Sequence, residues 1–335
     1  FRRVLFRSDK TIVLVNTQPD EPFVVEGMLE YASLRPAAIK DHYIQDQRVV
    51  VYHHCEFLQQ VPNGPNDDAF WEMWRDLMSR YGFMPGDYLV ASEDYAIKLA
   101  EVTGAIYMPY DPERSIRAVN ATDVRLDPIG HWGDMLPEFR RFLRKRITVF
   151  GAESTGKTTL SRQLAQELNG EHARGSWLPE YARPYLETVG NELSDEVMRR
   201  IMIGQEALQV TGDKVDAPFC IQDTDLYSTI GYWKFWSPKT MPTEIERAAR
   251  YRRSDLYIIC PSDIPFEPDP LRYGGDQREA DDAYWIELAE YYNLPYVVLS
   301  PLGDPTGDHR QQRLEEAMGE AKRIFGNPLS YERIK

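Results

Sequence analysis

The feature that most constrains the fold is the stretch from Arg146 to Leu160, RITVFGAESTGKTTL. Ile147 to Phe150 is a short apolar, β-branched run of the kind that forms a buried strand. It breaks on Gly151 into G-A-E-S-T-G-K-T, the G-x-x-x-x-G-K-[ST] spacing. Leu160, Leu164, Ala165 and Leu168 follow at helical intervals. The pattern predicts strand, phosphate loop and helix. Such a loop must wrap a polyphosphate so that successive backbone N–H groups and the positive end of the helix face it, which a Cβ at either glycine would obstruct. The candidate donor-binding set is therefore Gly151, Ala152, Glu153, Ser154, Thr155, Gly156, Lys157, Thr158 and Thr159. Lys157 is expected at the β- and γ-phosphates and Thr158 at magnesium. An eight-residue match also occurs in ordinary glycine loops, but the flanking strand and helix favour nucleotide.

At 335 residues the chain is long enough for two domains, each with its own core. The 53 acidic residues outweigh 39 basic ones, for a net charge of -14. That balance disfavours a long nucleic-acid surface and requires a local basic site for any anionic ligand. Cys55, Cys220 and Cys260 stand far apart without ligand spacing, which points to a reducing compartment and core thiols rather than to a zinc site. No apolar run approaches the roughly 18 residues of a membrane helix and no signal-peptide pattern opens the chain, so the expectation is a soluble, cytoplasmic protein without nucleic-acid or membrane partners. A homo-oligomer is compatible with this composition.

The opening FRRVLFRS resembles translated adapter sequence more than protein and is set aside. Thr11 to Val15 then reads as a buried strand, with further strands at Val49 to Tyr52, Tyr88 to Ala91 and Ile106 to Met108. Asp68 to Tyr81 reads as a helix with Phe70, Trp74, Leu77 and Met78 on one side; Ser92 is placed to cap another that carries Tyr95, Leu99 and Val102 inward. This alternation predicts a parallel αβ layer. Between 109 and 145, Arg114, Arg117 and Arg125 recur beside Thr122, either as a solvated connector or as a phosphate-binding edge. R-R-F-L-R-K-R at 140 to 146 marks the seam, giving domains of 1–143 and 144–335.

In the second domain, Glu180 and Arg183 of P-E-Y-A-R are either a surface ion pair or a carboxylate for an acceptor hydroxyl with an arginine for oxygens. Ser194 to Gln209 reads as a helix without an acid at the capping-box position. Phe219 to Gln222 is a strand ending in D-T-D, whose Asp223 and Asp225 are expected on the magnesium or acceptor side. Trp233 and Trp236 either pack a helix onto the sheet or form a wall for a flat ring. After the strand at 255–260, the Pro/Gly-rich run from 261 to 278 reads as a plain excursion or as a lid. In the lid reading Arg272 and Arg278 close on the transferred group and Asp269 faces the acceptor. A helix from Arg278 to Tyr292, a strand from Tyr296 to Leu299 and a helix from His309 to Phe325 complete five β segments.

Taken together, G-A-E-S-T-G-K-T-T, P-E-Y-A-R, D-T-D and D-P-L-R resemble the kinase half of the bifunctional NadR-type family, nicotinamide-nucleotide adenylyltransferase joined to ribosylnicotinamide kinase. The first half resembles its adenylyltransferase module through S-E-D-Y-A at 92 to 96, D-P-E-R at 111 to 114 and N-A-T-D-V-R at 120 to 125. The family usually has serine at Asn120, and G-x-F-x-P-x-H-x-G-H is absent, as is a helix-turn-helix domain ahead of it. The resemblance implies an α/β fold: an incomplete Rossmann-like nucleotidyltransferase domain, its ATP site weakened and its activity lost or reduced, followed by a P-loop kinase with a parallel sheet. It further implies ATP and Mg²⁺ as cofactors, and nicotinamide riboside and nicotinamide mononucleotide as partners. Lys157, Glu180, Asp223 and Arg272 would be catalytic, with Glu180 and Asp223 competing as the orienting base. Thr158 and Asp223 would hold the metal. Thr122, Arg125 and Arg278 would contact donor; Glu180, Arg183, Asp225, Trp233, Trp236 and Asp269 would contact acceptor. Another small-molecule kinase, or a non-catalytic ATP-binding regulator, stays open.

Overall fold

The computed structural model describes residues 9–18, 31–64, 67–116, 118–120, 123–124, 127–190, 192–236, 240–267, 278–302 and 309–325; the side chains of 31–33, 235–236 and 278–281 are outside that description. These residues fall into two compact units that meet in sequence at Leu143.

The first unit runs β1 (Thr11–Thr17), α1 (Tyr31–His42), β2 (Val49–Cys55), α2 (Asp68–Arg80), β3 (Tyr88–Ala91), α3 (Tyr95–Thr103) and β4 (Ile106–Pro109), and α4 (Pro137–Leu143) ends at the seam. The strands are parallel, as the alternation predicts, but among the described residues they form two separate ribbons, β1 with β2 and β3 with β4. Of the β1 residues only Thr17 is buried, so T-I-V-L-V is half-buried rather than a core strand. Asp67 caps α2 by accepting the N–H of Phe70, and Phe70, Trp71 and Leu77 go inward with Trp74 and Met78 against them. In α3 the buried residues are Ala96, Leu99, Ala100 and Thr103. That register turns Tyr95 outward, at 61% exposure, contrary to the sequence expectation. Ser92 does not cap α3 either; its hydroxyl donates to the carbonyl of Tyr110.

The second unit contains β5 (Lys145–Phe150), α5 (Lys157–Asn169), β6 (Trp177–Leu178), α6 (Ala182–Val189), α7 (Asp195–Gly212), β7 (Phe219–Asp223), α8 (Leu226–Trp236), α9 (Thr243–Tyr251), β8 (Leu256–Ile259), α10 (Arg278–Tyr291), β9 (Tyr296–Val298) and α11 (His309–Phe325). Its strands form one five-stranded parallel sheet in the order β6-β7-β5-β8-β9. Ile147, Val149, Phe150, Ile221 and Ile258 are fully buried, as strands covered on both faces require. From β5 the chain crosses to the edge strand β6, returns through β7 and then passes to β8 on the other side of β5, so the loop after β5 lies at the point where strand order reverses, the usual crevice of an open α/β sheet. Cys220 and Cys260 are buried, and burial raises their thiols, Cys260 to about 11, while Cys55 is exposed; none forms a disulfide. Among the described residues no helix is long and apolar enough to cross a membrane.

Candidate functional site

The phosphate loop joins the carboxyl end of β5 to the first turn of α5. Gly151 has φ +125° and a Cβ there would stand 2.6 Å from the carbonyl oxygen of Cys260, so side chains are excluded both by backbone conformation and by the approach of β8. Gly156 has φ +81°, which turns the chain into α5 and leaves the first backbone N–H groups of that helix open to an anion. The Thr155 hydroxyl donates to Ala152 O at 2.9 Å, and the Lys157 ammonium donates to the same carbonyl. Arg313, on α11, braces the loop from behind: it is 3% exposed, donates to the carbonyls of Thr155 and Pro261, and pairs with Asp263. Nothing in H-R-Q-Q-R-L marks it, because its partners are far away in sequence.

The loop opens into a cavity of about 280 Å³. Glu153, Ser154, Thr155, Gly156, Lys157, Thr158 and Thr159 line one side, and Glu180, Arg183, Asp223 and Thr224 stand in the same cavity. His309, Arg310 and Arg313 add a basic side. Leu186, Leu193, Met198, Ile201 and Tyr232 give the rest an apolar wall. Glu180 keeps part of its surface toward the cavity, but the protein around it desolvates the carboxylate and Asp223 adds like charge, so its pKa is pushed up to about 7 against the pull of Lys157 and Arg183. Asp223 is 3% exposed and also raised by desolvation, opposed by a hydrogen bond from Thr158 and by Lys157. The Thr158 hydroxyl and the Asp223 carboxylate thus offer adjacent hard oxygen donors of the kind Mg²⁺ takes; since that ion retains waters and phosphate oxygens, two protein donors are enough. Among the described residues no cluster of three or more His, Cys, Asp or Glu forms a closed metal cage.

Two sequence assignments are corrected. Asp225 does not face the cavity: it is 1% exposed, accepts the N–H groups of Tyr227 and Ser228 at 2.9 and 3.1 Å, and takes the Tyr257 hydroxyl at 2.8 Å. It caps α8, and burial raises it to about 6. The cause is Thr224, whose φ of +67° breaks the strand alternation, so that Asp223 stays in the cavity while Asp225 turns back. Trp233 is no stacking wall. It is 1% exposed inside the apolar core with Phe150, Ile230 and Trp285, and the aromatic residue lining the cavity is its neighbour Tyr232. The side chains of Trp236 and Arg278, and all of Asp269 and Arg272, fall outside the described residues.

In the first unit, Arg114 of D-P-E-R donates to Glu93 of S-E-D-Y-A at 2.5 Å, bringing two of the quoted motifs together. Asn120 and Asp123 bond reciprocally, each side chain accepting the other's N–H. Thr122 and Arg125 are outside the described residues.

The sheet order and the loop define a P-loop nucleotide-binding domain. Residues 146–313 match the family described as AAA domain, and the chain belongs to that family. Beyond it, the chain is homologous to the trifunctional NAD biosynthesis/regulator protein NadR of Salmonella typhimurium, at 25% identity over 252 residues covering 72% of this chain and 58% of that protein. The NadR protein of Escherichia coli matches equally, at 25% over 253 residues, again 72% and 58%. The chain therefore spans less than two thirds of these curated relatives. Its fold is similar to a crystal structure of NadR protein in complex with NR (TM-score 0.61, 23% identity, 97% of this chain and 92% of that one). A second NadR crystal structure, in complex with NAD and AMP-PNP, gives 0.58 at 22% identity, covering 100% and 92%.

Proposed function

We propose that the second unit transfers the γ-phosphoryl group of ATP to the 5′-hydroxyl of nicotinamide riboside, giving nicotinamide mononucleotide and ADP. The observation that carries this reading is one cavity whose lining joins the phosphate loop, the carboxyl groups of Glu180 and Asp223 and an apolar wall. The names of the NadR relatives and the ligands in the similar crystal structures support the choice of acceptor.

Lys157 leaves the Ala152 carbonyl for the phosphates, and with Arg183 and Arg310 gathers the negative charge of the transferring group. Thr158 and Asp223 would hold Mg²⁺, which would supply charge neutralisation for the phosphates. That leaves Glu180 to orient the acceptor hydroxyl and take its proton. A pKa of about 7 suits a group that must both accept and release a proton near neutrality. The test is incubation with ATP, Mg²⁺ and a panel of nucleosides, with products read by mass spectrometry. The expected result is nicotinamide mononucleotide and ADP in equal amounts. Preference for another nucleoside, or ATP hydrolysis alone, overturns the reading.

A further inference from the structure

Two buried polar groups of the cavity have no task in the reaction just described. Gln205, on α7, is 2% exposed. Its Oε1 accepts the N–H of Tyr181 at 2.9 Å, and because a backbone N–H can only be met by the oxygen, the amide is fixed with its NH₂ on the other side. That Nε2 is buried, finds no hydrogen-bond partner, and belongs to a residue lining the cavity. Ser228, in the first turn of α8, is 4% exposed and also lines the cavity. Its N–H is used by Asp225, but its hydroxyl has no partner. Native interiors rarely leave such groups unpaired: ordered water or a ligand completes them.

The two groups stand at one level. Gln209 on α7 accepts the N–H of Leu226 at the start of α8, while Arg199, earlier on α7, lies 5.9 Å over the ring of Trp233, later on α8. The helices thus run antiparallel, and interpolation sets Ser228 opposite Gln205. Farther along the same faces come Met198 and Ile201 on α7 and Tyr232 on α8, so the cavity passes from polar to apolar in step on both helices. The polar level is also tied to the base. A Cβ at Gly204 would stand 2.1 Å from the Tyr181 ring, so the glycine lets Tyr181 lie against α7, where Gln205 holds the backbone immediately after Glu180.

We infer that Gln205 and Ser228 form the sugar-recognition pair of the acceptor site: Gln205 Nε2 donates to a ribose 2′- or 3′-hydroxyl oxygen, and that hydroxyl donates to Ser228 Oγ. This rests on the kinase reading above. A secondary hydroxyl is the group that meets an obligate donor and a hydroxyl together, and it belongs between a 5′-hydroxyl at Glu180 and a base ring on the apolar wall. The pair therefore selects ribonucleosides over their deoxy analogues.

The experiment crosses substrate with protein. For wild type, kcat/KM is measured for the best acceptor of the nucleoside panel and for its 2′-deoxy and 3′-deoxy forms; loss of one of these hydroxyls lowers it by about 10- to 100-fold. Gln205→Glu keeps an oxygen for the Tyr181 N–H but replaces the donor, and Ser228→Ala removes the hydroxyl. In each variant the ribo-to-deoxy ratio collapses to within about 3-fold with KM for ATP held; Tm is held in Ser228→Ala, whereas a carboxylate at the buried Gln205 position lowers it. Because the ratio is taken within one variant, any effect of a new carboxylate on Glu180 cancels, and Ser228→Ala stands alone if Gln205→Glu does not fold. Wild type that ignores both hydroxyls, or variants that discriminate as wild type does, overturns the inference. If the best acceptor is not nicotinamide riboside, the functional reading falls while the pair is still tested on that nucleoside. If calorimetry with AMP-PNP present detects no nucleoside binding and none is turned over, both fall.

Discussion

The second unit sets five parallel strands in one sheet and buries its central strands, β7 and β8 throughout and β5 from Ile147 on, whereas among the described residues the first unit spreads four strands over two ribbons whose side chains are mostly half-covered. Both are parallel αβ by sequence grammar, yet only the second places a reversal of strand order over a fully packed core. That difference decides where a precise site can be built. A crevice over a close-packed floor holds carboxyl groups at raised pKa, as it holds Glu180 and Asp223.

Truncating a core tryptophan tests this contrast most severely. Trp233→Ala removes a fully buried indole from the second unit's core and is expected to cost about 3–5 kcal/mol. Trp74→Ala, at a half-buried position of the first unit, is expected to cost distinctly less. Denaturant melts of both variants measure the gap, and equal losses would erase the claimed difference in packing. Trp233→Phe adds a sharper reading: KM for the acceptor stays at the wild-type value if the ring only packs, and rises if it stacks on substrate.

Next in size is Lys157→Ala, which removes an electrostatic donor and lowers turnover by about 10²- to 10³-fold. Titration with AMP-PNP should raise the Tm of wild type and raise that of the variant much less. Turnover at the wild-type level in the variant would remove the loop lysine from the mechanism and, with it, the reason for locating chemistry in the second unit.

How far the sequence carried each unit follows from the same contrast. The strand, loop and helix around Gly151 were legible because each step is local: apolar run, glycines, helical spacing. The helices from Ser194 and His309 were legible for the same reason. D-T-D was misread at Asp225 because alternation along a strand puts residues 223 and 225 on one side, and nothing in the three letters shows that Thr224 adopts a left-handed conformation. Gln205, Ser228 and Arg313 were invisible because their meaning lies in Tyr181, Asp225 and Thr155, residues brought to them only by the fold. In the first unit T-I-V-L-V promised a core strand, and the strand is there but half-buried, because how much packs on its faces is not written in its own residues.

The smallest expected effect on stability, and the one that joins packing to chemistry, comes from Glu180→Gln. Burial raises this carboxyl to about 7 from an ordinary 4.5, so the folded state holds its proton more tightly than the unfolded chain does. The contribution to stability is therefore full below pH 4.5 and is lost as pH rises through 7, where folding must confine a charged carboxylate. Glutamine carries no such charge. The variant should melt a few degrees higher than wild type at pH 8 and should show no such advantage at pH 4, while its turnover falls by about 10²-fold. In wild type, kcat/KM should rise with pH through about 7 as the base is unmasked, and the variant should lose that limb. Thermal melts and pH–rate profiles on the same two proteins give both readouts. A variant that gains stability at pH 8 but keeps the wild-type pH limb would move the base to Asp223 and leave Glu180 as a buried charge with a structural cost alone.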